Sequence, residues 1–367
     1  MLRRLRDLSL QSYSLILKPI NWFNANNSDL PVKPSVKKNL NLLVFLIIAI
    51  ALLYFAFRGV DLKAISNGFR NANYFWVIMA IIVGFASHIV RSLRWKLLIE
   101  PLGYKPSLTN VFGALVTGYM ANIIFPRLGE VTRCGTLRKT DKIPFESLLG
   151  TVIVERAFDV IMMLILAVAV FFIRIDFFGK FLWNQALLPI WQKLASTLTN
   201  SPFYIVIAVA ILATLFILFK RNVFGHKFTD RISSLFWGLI DGLKSVFTMK
   251  KRKAFLGYTL LIWFLYWLMT WLLVYSTGPT SGLSPVDGFF ILVVGSFGMA
   301  APVQGGFGAF HVITAMALGI YGISWEDGLV YAIISHESQT LLVIVLGFFF
   351  LAYFYFRNRK IQAEIKP

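Results

Sequence analysis

The sequence predicts an all-α polytopic membrane protein with about six full spans and two re-entrant or broken helical elements, in all about eight apolar elements. The residues are 57% hydrophobic and only 14% charged, whereas soluble domains are about 25% charged. Several uncharged runs approach the roughly 20 apolar residues that a spanning helix needs. The alternating, strand-length segments of a membrane barrel are not found in the sequence.

The charge and the metal-binding residue types exclude several other classes of protein. The net charge of +19 is spread between apolar runs, so it indicates membrane orientation rather than nucleic-acid binding. The single Cys134 excludes internal disulfides and cysteine-rich metal sites. The four histidines are too scattered for a zinc motif, and no nucleotide-binding fingerprint is present. The sequence therefore predicts no metal and no cofactor.

The apolar runs and the basic segments between them give the order of elements. Residues 1–39 form a basic arm before the first span, and residues 357–367 form a basic tail after the last. Full spans are predicted at 41–57, 74–90, 148–173, 203–219, 254–276 and 328–356. Apolar residues recur at helical spacing within the basic segment 220–253, which predicts an amphipathic helix at the cytoplasmic membrane face. The Arg91–Lys96 segment is interpreted as an interfacial anchor.

The distribution of positive charge favours a particular topology. If 108–137 and 286–322 each enter the membrane and return on the same side, most of the 36 Lys and Arg residues face the cytoplasm, together with both termini. This arrangement predicts that the membrane domain is an inverted repeat, as in many secondary transporters.

The repeat divides the single membrane domain, 40–356, into halves of about 40–173 and 203–356. The sequence leaves open whether 108–126 and 286–302 span fully or re-enter.

The first predicted break follows a long uncharged run. Pro126 removes a backbone donor, and Gly129 permits backbone conformations that are closed to other residues. Polar side chains that surround this break and are candidates for binding an anionic head group are Asn122, Arg127, Glu130 and Arg133. The alternative is an interfacial loop whose basic residues only set orientation.

A compact charged motif lies within the span that follows. Glu155, Arg156 and Asp159 are each costly to bury in a bilayer, by about 2.5–3.5 kcal/mol at mid-depth. One interpretation is that Arg156 binds lipid phosphate while the carboxylates position it. The other is a structural network of ion pairs that joins helices.

The second half carries a glycine-rich break and two further groups of polar residues. Pro302, Gly305, Gly306 and Gly308 interrupt an apolar run, which predicts an unwound segment rather than a glycine packing face alone. Gln304 and His311 beside this break are further candidates for binding the lipid head group, and His336 and Glu337 lie beyond it. The adjacent His336 and Glu337 are a candidate proton relay, or else a satisfied polar pair.

These motifs together resemble those of the lysylphosphatidylglycerol synthase transmembrane-region family, also called flippase-like domain proteins. The resemblance rests on Asn122 to Arg133, on Glu155 to Asp159 and on Ala301 to Gly308, in that order, and covers about residues 40–355. It implies a membrane region associated with moving lipids across the bilayer. Gln304 stands where the family often has Pro, and His311 where it often has Glu, which leaves the charge of the second site and the substrate open.

The resemblance leads to one main expectation and two rivals. We expect a multi-pass inner-membrane protein that binds and translocates an anionic phospholipid or a polyisoprenoid-linked glycan, through the arginines and the two broken helices. Because the sequence ends at Pro367, we expect no soluble aminoacyl-transfer domain. The rivals are a membrane lipid transferase that uses Glu130, or Glu155 with Asp159, as a general base, and a scaffold for envelope-synthesis enzymes.

Overall fold

The computed structural model describes residues 61–174 and 249–365, together with residues 188 and 246. Across these residues the chain forms nine α-helices and no β-strand, which confirms the all-α prediction. The first range contains α1 (Leu62–Arg70), α2 (Tyr74–Ile99), α3 (Leu108–Ile124), α4 (Leu128–Asp141) and α5 (Phe145–Ile173). The second contains α6 (Arg252–Val274), α7 (Pro285–Ala300), α8 (Ala309–Gly319) and α9 (Trp325–Ile365).

Four helices in the described part of the chain are long and apolar enough to cross a membrane. They are Tyr74–Leu102, Phe145–Ile173, Arg252–Val274 and Trp325–Arg357. Each coincides with a predicted span, and two shorter apolar helices, Leu108–Ile124 and Pro285–Ala300, coincide with the predicted re-entrant elements. The predicted arm 1–39, the spans 41–57 and 203–219, and nearly all of the amphipathic segment 220–253 lie outside the described residues.

Side-chain caps set where several of these helices begin. Asn73 accepts a hydrogen bond from the backbone N–H of Phe75, and α2 begins at the next residue. Ser284 and Asp287 form a reciprocal capping box at the start of α7, whose first residue is Pro285. Proline suits this position because its missing N–H would be unpaired there in any case. α2 and α7 therefore begin at polar residues that satisfy some of their first backbone donors.

The helices pack in a pattern that relates the two halves. α3 and α4 form a hairpin in the first half, and α7 and α8 form one in the second. The long helix after each hairpin packs against the hairpin of the other half, so that α9 lies against α3 and α5 lies against α7. α2 packs along α6. The long helix of each half therefore packs on the hairpin of the other half.

Each hairpin has an apolar core of its own. In the first half, residues of α2, α3, α4 and α5 bury a cluster that includes Trp95, Cys134 and Leu148. In the second half, α8 and α9 contribute Leu318 and Tyr331 to a core that also contains Leu273 of α6. These cores hold the two breaks, at 125–127 and 301–308, at fixed positions relative to α5 and α9.

Candidate functional site

The first break lies between α3 and α4, at residues 125–127. Pro126 stands in this connection, where its missing N–H leaves no helical hydrogen bond to lose. Arg127 adopts a left-handed backbone conformation with a φ of 63°. Such a φ is uncommon outside glycine, and it turns the chain so that α4 folds back along α3.

Two glycines and an asparagine close the hairpin at this break. The side-chain oxygen of Asn122 accepts a hydrogen bond from the backbone N–H of Gly129 at 2.6 Å. A Cβ atom on Gly129 would meet the backbone oxygen of Gly118 and the Asn122 side chain. Gly129 is thus required because α3 and α4 approach each other closely there. The left-handed backbone conformation at this break is adopted by Arg127 and not by a glycine. Asn122, a predicted head-group ligand, bridges the break.

A buried carboxylate on α5 lies among arginines from two other helices. Glu155 has no exposed surface. The Nη2 atom of Arg91 is 2.6 Å from Oε1 of Glu155, and Nη2 of Arg94 is 3.4 Å from the same oxygen. The other oxygen, Oε2, is 3.1 Å from Nη1 of Arg133 on α4. The charge of Glu155 is therefore balanced by cations from α2 and α4.

One turn further along α5, Asp159 extends these contacts toward the surface. Its Oδ1 atom lies 2.8 Å from Nη2 of Arg94, and its Oδ2 atom lies 3.3 Å from Nη2 of Arg91. Arg156 lies 4.0 Å from Asp159 and 3.4 Å from Oε1 of Glu130 on α4. The Arg156 side chain is 41% exposed, so it marks the open side of the group.

These residues form a group that we call the arginine cluster. Its members are Arg91, Arg94, Glu130, Arg133, Glu155, Arg156 and Asp159. The four guanidinium groups and three carboxylates leave one formal positive charge in excess. Buried guanidinium atoms that lack a hydrogen-bond partner among the described residues include the Nε atoms of all four arginines and Nη2 of Arg133. Because buried donors require acceptors, the cluster is suited to an additional anionic group.

Aromatic side chains enclose the buried side of the arginine cluster. The guanidinium of Arg133 lies 4.6 Å from the ring centroid of Trp95, close enough for a cation–π interaction. Nη1 of Arg91 donates a hydrogen bond to the Tyr266 hydroxyl of α6 at 2.7 Å. Arg91 also lies 5.7 Å from the Tyr119 ring. The second half of the chain therefore contributes to this site through α6.

Sequence reasoning did not identify Arg91 and Arg94 as site residues. They were interpreted as an interfacial anchor, but both are buried against α5, and Trp95 beside them is buried too. α2 continues to Ile99, well past the end of its uncharged run. The available signal was their spacing of three residues, which puts both side chains on one face of a helix.

Arg127 does not belong to the arginine cluster. Its side chain is exposed at the first break, and it makes no ion pair with a described residue. Of the predicted head-group residues in the first half, the structure brings Glu130, Arg133, Glu155, Arg156 and Asp159 together. Arg127 and Asn122 lie at the break itself.

The second break connects α7 to α8 through residues 301–308. Gly305, Gly306 and Gly308 all have positive φ values, of 57°, 81° and 80°. Residues with side chains rarely adopt such values, so the path of the chain here depends on glycine. Pro302 lies just after the end of α7, and a short 3-10 turn covers Gln304–Gly306. The side-chain oxygen of Gln304 is buried without a hydrogen-bond partner in the described part of the chain.

Two histidines and a glutamate contact the second break. Nε2 of His336 lies 2.9 Å from the backbone oxygen of Gly305, and Nδ1 of His336 lies 2.8 Å from Oε1 of Glu337. Nδ1 of His311 accepts a hydrogen bond of 3.3 Å from the backbone N–H of Gly308. Nε2 of His311 is 3.6 Å from Oε1 of Glu337. We call His311, His336 and Glu337 the histidine cluster.

The two breaks lie against each other. The 3-10 turn of the second break packs on α3, and a Cβ atom on Gly305 would lie 3.8 Å from the Cα atom of Ile123. α9 also approaches α3 closely, because a Cβ atom on Gly347 would lie 2.6 Å from the sulfur of Met120. The second break and α9 therefore both pack directly on α3 of the first half.

Comparison with known proteins identifies relatives along most of the chain. Residues 41–347 match the model of the family described as "Lysylphosphatidylglycerol synthase TM region". A UPF0104 membrane protein of Methanothermobacter thermautotrophicus is 23% identical over 312 residues, which cover 79% of this chain and 88% of that protein.

Two further relatives match shorter stretches. A UPF0104 membrane protein of Methanocaldococcus jannaschii is 32% identical over 119 residues, 32% of this chain and 35% of that protein. The glycosyltransferase AglD of Haloferax volcanii is 23% identical over 133 residues, 36% of this chain and 21% of that protein. No solved structure matches the chain significantly.

Proposed function

The chain belongs to the lysylphosphatidylglycerol synthase transmembrane-region family, and on that premise we propose that it binds and translocates an anionic lipid. The ligand has a phosphate-bearing head group, either that of a phospholipid or that of a polyisoprenoid-linked glycan. The protein lies in the cytoplasmic membrane with both termini in the cytoplasm, as its Lys and Arg distribution favours.

The observation that carries this proposal is the excess of guanidinium groups in the arginine cluster. Arg156 is the most exposed cation of the cluster, and its Nε atom has no partner in the described residues. Guanidinium groups bind phosphate oxygens through paired, charge-assisted hydrogen bonds. A phosphate group that reaches Arg156 would meet one net positive charge and several unpaired N–H donors.

The contact between the two breaks supports translocation rather than binding alone. Broken helices at the interface of two repeats form the substrate sites of many secondary transporters, and rocking of the repeats exposes such sites to either side. Here the second break touches α3 and so lies beside the hairpin that contributes Arg133. Movement between the two hairpins would open a path for a polar head group while the lipid tails stay in the bilayer.

The match to AglD favours a lipid-linked glycan as the cargo over other anionic lipids, since that relative is named as a glycosyltransferase. The arrangement of carboxylates argues against a transferase reaction at the arginine cluster itself. Glu155 is buried and its two oxygens contact three guanidinium groups, so it is not free to accept a proton from a substrate. The scaffold alternative predicts that substitutions of Arg156 are without effect on bound lipid.

Native mass spectrometry of the purified protein with its retained lipids tests the proposal. Arg156→Ala removes the exposed cation of the cluster, whereas Arg138→Ala removes an exposed cation of α4 outside it. We expect one class of anionic lipid to be retained by the wild type and by Arg138→Ala and to be reduced at least about tenfold by Arg156→Ala, as for loss of a charge-assisted contact.

Reconstitution tests the translocation step. Liposomes containing fluorescent phosphatidylglycerol or a fluorescent polyprenyl phosphate report lipid that reaches the outer leaflet. We expect movement with the wild type and with Arg138→Ala, and loss of movement with Arg156→Ala. Equal lipid retention in all three proteins, together with no movement of either lipid, would favour the scaffold.

A further inference from the structure

The histidine cluster is placed to hold a proton at the second break. We propose that His311, His336 and Glu337 form a proton-binding site that clamps residues 305–308, and that loss of the proton releases this segment. The inference stands apart from the lipid proposal, because it concerns how the break is held closed and not what the protein carries.

His336 contacts a hydrogen-bond acceptor at each of its two ring nitrogens. A neutral imidazole carries only one N–H, so the two contacts require one additional proton. A backbone carbonyl only accepts hydrogen bonds, so the Nε2 atom that lies 2.9 Å from Gly305 O carries a hydrogen. A neutral imidazole would then present a lone pair at Nδ1 to the carboxylate oxygen 2.8 Å away. That contact is stable only if a proton lies between His336 and Glu337.

His311 contacts the other end of the glycine segment, at Gly308, and this contact determines which nitrogen of His311 carries the hydrogen. The backbone N–H of Gly308 donates to Nδ1 of His311, so the hydrogen of the neutral ring lies on Nε2. Nε2 faces Oε1 of Glu337 at 3.6 Å. Glu337 thus lies between two rings that hold opposite ends of the glycine segment, at Gly305 and Gly308.

The same bond directions disfavour a metal ion at this position. One ligand-type atom from each of the three residues lies within 4.8 Å of the others, a spacing that a metal ion tolerates. A metal would need the lone pair of His311 Nε2, and Nδ1 would then carry a hydrogen directed at the N–H of Gly308. Two donors would face each other there, whereas metal-bound histidines direct the second nitrogen to an acceptor.

The described residues around the histidine cluster are uncharged, so the protonation of the cluster depends on its own three members. Aromatic rings of Phe307 and Phe310 flank the histidines, and Thr340 Oγ1 lies 3.4 Å from Nδ1 of His336. Among the described residues, the charged or titratable groups that face the cluster are its own members. His88 of α2 faces Tyr119 and Arg91 instead.

The exposure of the three side chains indicates where the proton enters. His311 and His336 are 2% and 6% exposed at their side chains, whereas Glu337 is 39% exposed. Glu337 lies twelve residues into α9, about 18 Å along the helix axis. Glu337 is therefore the member of the cluster through which a proton can pass between the buried rings and the surface.

Loss of the proton has a defined structural consequence. The proton passes from the His336–Glu337 pair to water through Glu337, and the carboxylate then faces the lone pair of Nδ1. Repulsion turns the ring, and the hydrogen bond from Nε2 to Gly305 is lost. Among the described residues, few other side chains form hydrogen bonds to the backbone of the glycine segment. The segment is then free to move.

Two measurements on the full-length protein in nanodiscs test this proposal without any lipid substrate. The first is NMR of protein labelled at histidine nitrogen, followed from about pH 5.5 to about pH 9, the range in which histidines titrate. We expect His336 to be protonated at both nitrogens at the lower pH and to lose one proton across this range. The signal is assigned by its loss in His336→Gln. A neutral His336 at every pH would overturn the proposal.

The second measurement is amide hydrogen exchange of residues 303–308, corrected for the intrinsic effect of pH. We expect at least about a fivefold loss of protection of this segment as the pH rises, with residues 125–129 of the first break as the unchanged internal reference. The near-isosteric Glu337→Gln should abolish the pH dependence. The same dependence in this variant, or a stoichiometric metal that is lost in His336→Gln, would overturn the proposal.

Discussion

The two broken hairpins share an architecture and differ in the chemistry that holds them. In the first, Arg133 on the helix after the break contacts Glu155 on the following span, at 3.1 Å. In the second, His311 on the helix after the break lies 3.6 Å from Glu337 on the following span. Arg133 is a permanent cation, whereas His311 is neutral and the cation proposed above for the second hairpin is His336, whose charge depends on pH.

On the two proposals made above, this difference gives each hairpin a separate task. The first hairpin keeps a positive charge at all physiological pH values, which suits the binding of an anion. The second can gain or lose its charge, which suits a gate. Substitutions at equivalent places in the two hairpins test this difference.

Removing the central carboxylate of the first hairpin should have the largest effect. Glu155→Gln leaves three buried guanidinium groups without their shared partner, and breaking a buried ion pair in this way costs about 3–5 kcal/mol. Thermal unfolding in detergent would show this as a large fall in Tm. Glu337→Gln should cost less, because Glu337 is 39% exposed and faces only histidines.

Glu146→Gln is the matched control for that comparison. Glu146 lies in the exposed first turn of the same helix, α5, and an exposed substitution of this kind changes stability by about 0.5 kcal/mol or less. Equal falls in Tm for Glu155→Gln and Glu146→Gln would contradict the structural role given to the arginine cluster.

A methyl group at the first break should separate the helices of the hairpin. In Gly129→Ala the new Cβ meets the backbone oxygen of Gly118, and relieving such overpacking costs about 1–3 kcal/mol. In Gly135→Ala, on the same helix, nothing lies within 4 Å of the new atom. We expect that control to be neutral or slightly stabilising, since alanine favours a helix over glycine by about 1 kcal/mol.

The single cysteine reports on this separation. Cys134 has no exposed surface, so maleimide labelling of the native protein should be slow. We expect faster labelling in Gly129→Ala than in Gly135→Ala. Identical rates in the two variants would show that the hairpin tolerates the methyl group.

A substitution that makes the first hairpin resemble the second should give it a pH dependence. In Arg133→His an imidazolium can pair with Glu155 at low pH, and the pairing is lost as the pH rises and the ring becomes neutral. Stability should therefore fall by about 1 kcal/mol between about pH 5.5 and about pH 8.5, the effect of a shift of under one pKa unit. The control is Arg138→His, at an exposed position of α4.

Tm values measured at both pH extremes decide this prediction. We expect the difference between the extremes to be larger in Arg133→His than in Arg138→His or the wild type. A difference of the opposite sign would mean that the imidazole at this position does not pair with Glu155.

The smallest loss of stability is expected from removing an ion pair between α5 of the first half and α7 of the second. Arg174 at the end of α5 lies 2.8 Å from Oδ1 of Asp287 at the start of α7. Because Arg174 is 38% exposed, Arg174→Ala should cost no more than about 1 kcal/mol. The exposed Lys253 supplies the control, Lys253→Ala. A loss comparable to that of Glu155→Gln would contradict the small contribution expected of this partly exposed ion pair.

The sequence was sufficient to predict the elements but not their contacts. Uncharged runs and prolines reveal spans and breaks because hydrocarbon demands paired backbone groups and proline cannot supply one. The predicted span near 148–173 corresponds to α5, and Pro126 falls between two helices. Both features depend on local sequence alone.

The partners within each cluster depend on tertiary packing and were not predictable from spacing. Arg91 and Glu155 are separated by 64 residues, yet their atoms lie 2.6 Å apart. Likewise, nothing local indicates that His336 reaches the backbone of Gly305, 31 residues earlier. The predicted His336–Glu337 pair was visible because its members are adjacent, whereas His311 joined it only through the hairpin.

All seven charged side chains of the arginine cluster come from α2, α4 and α5. All but one of these charges can therefore pair with one another as soon as the first half has been synthesised, before any helix beyond α5 has left the ribosome. An isolated charge costs about 2.5–3.5 kcal/mol at the centre of an inserting helix, a cost that mutual pairing offsets. The first half can thus enter the bilayer early and serve as the template on which later helices assemble, among them α6 with its Tyr266.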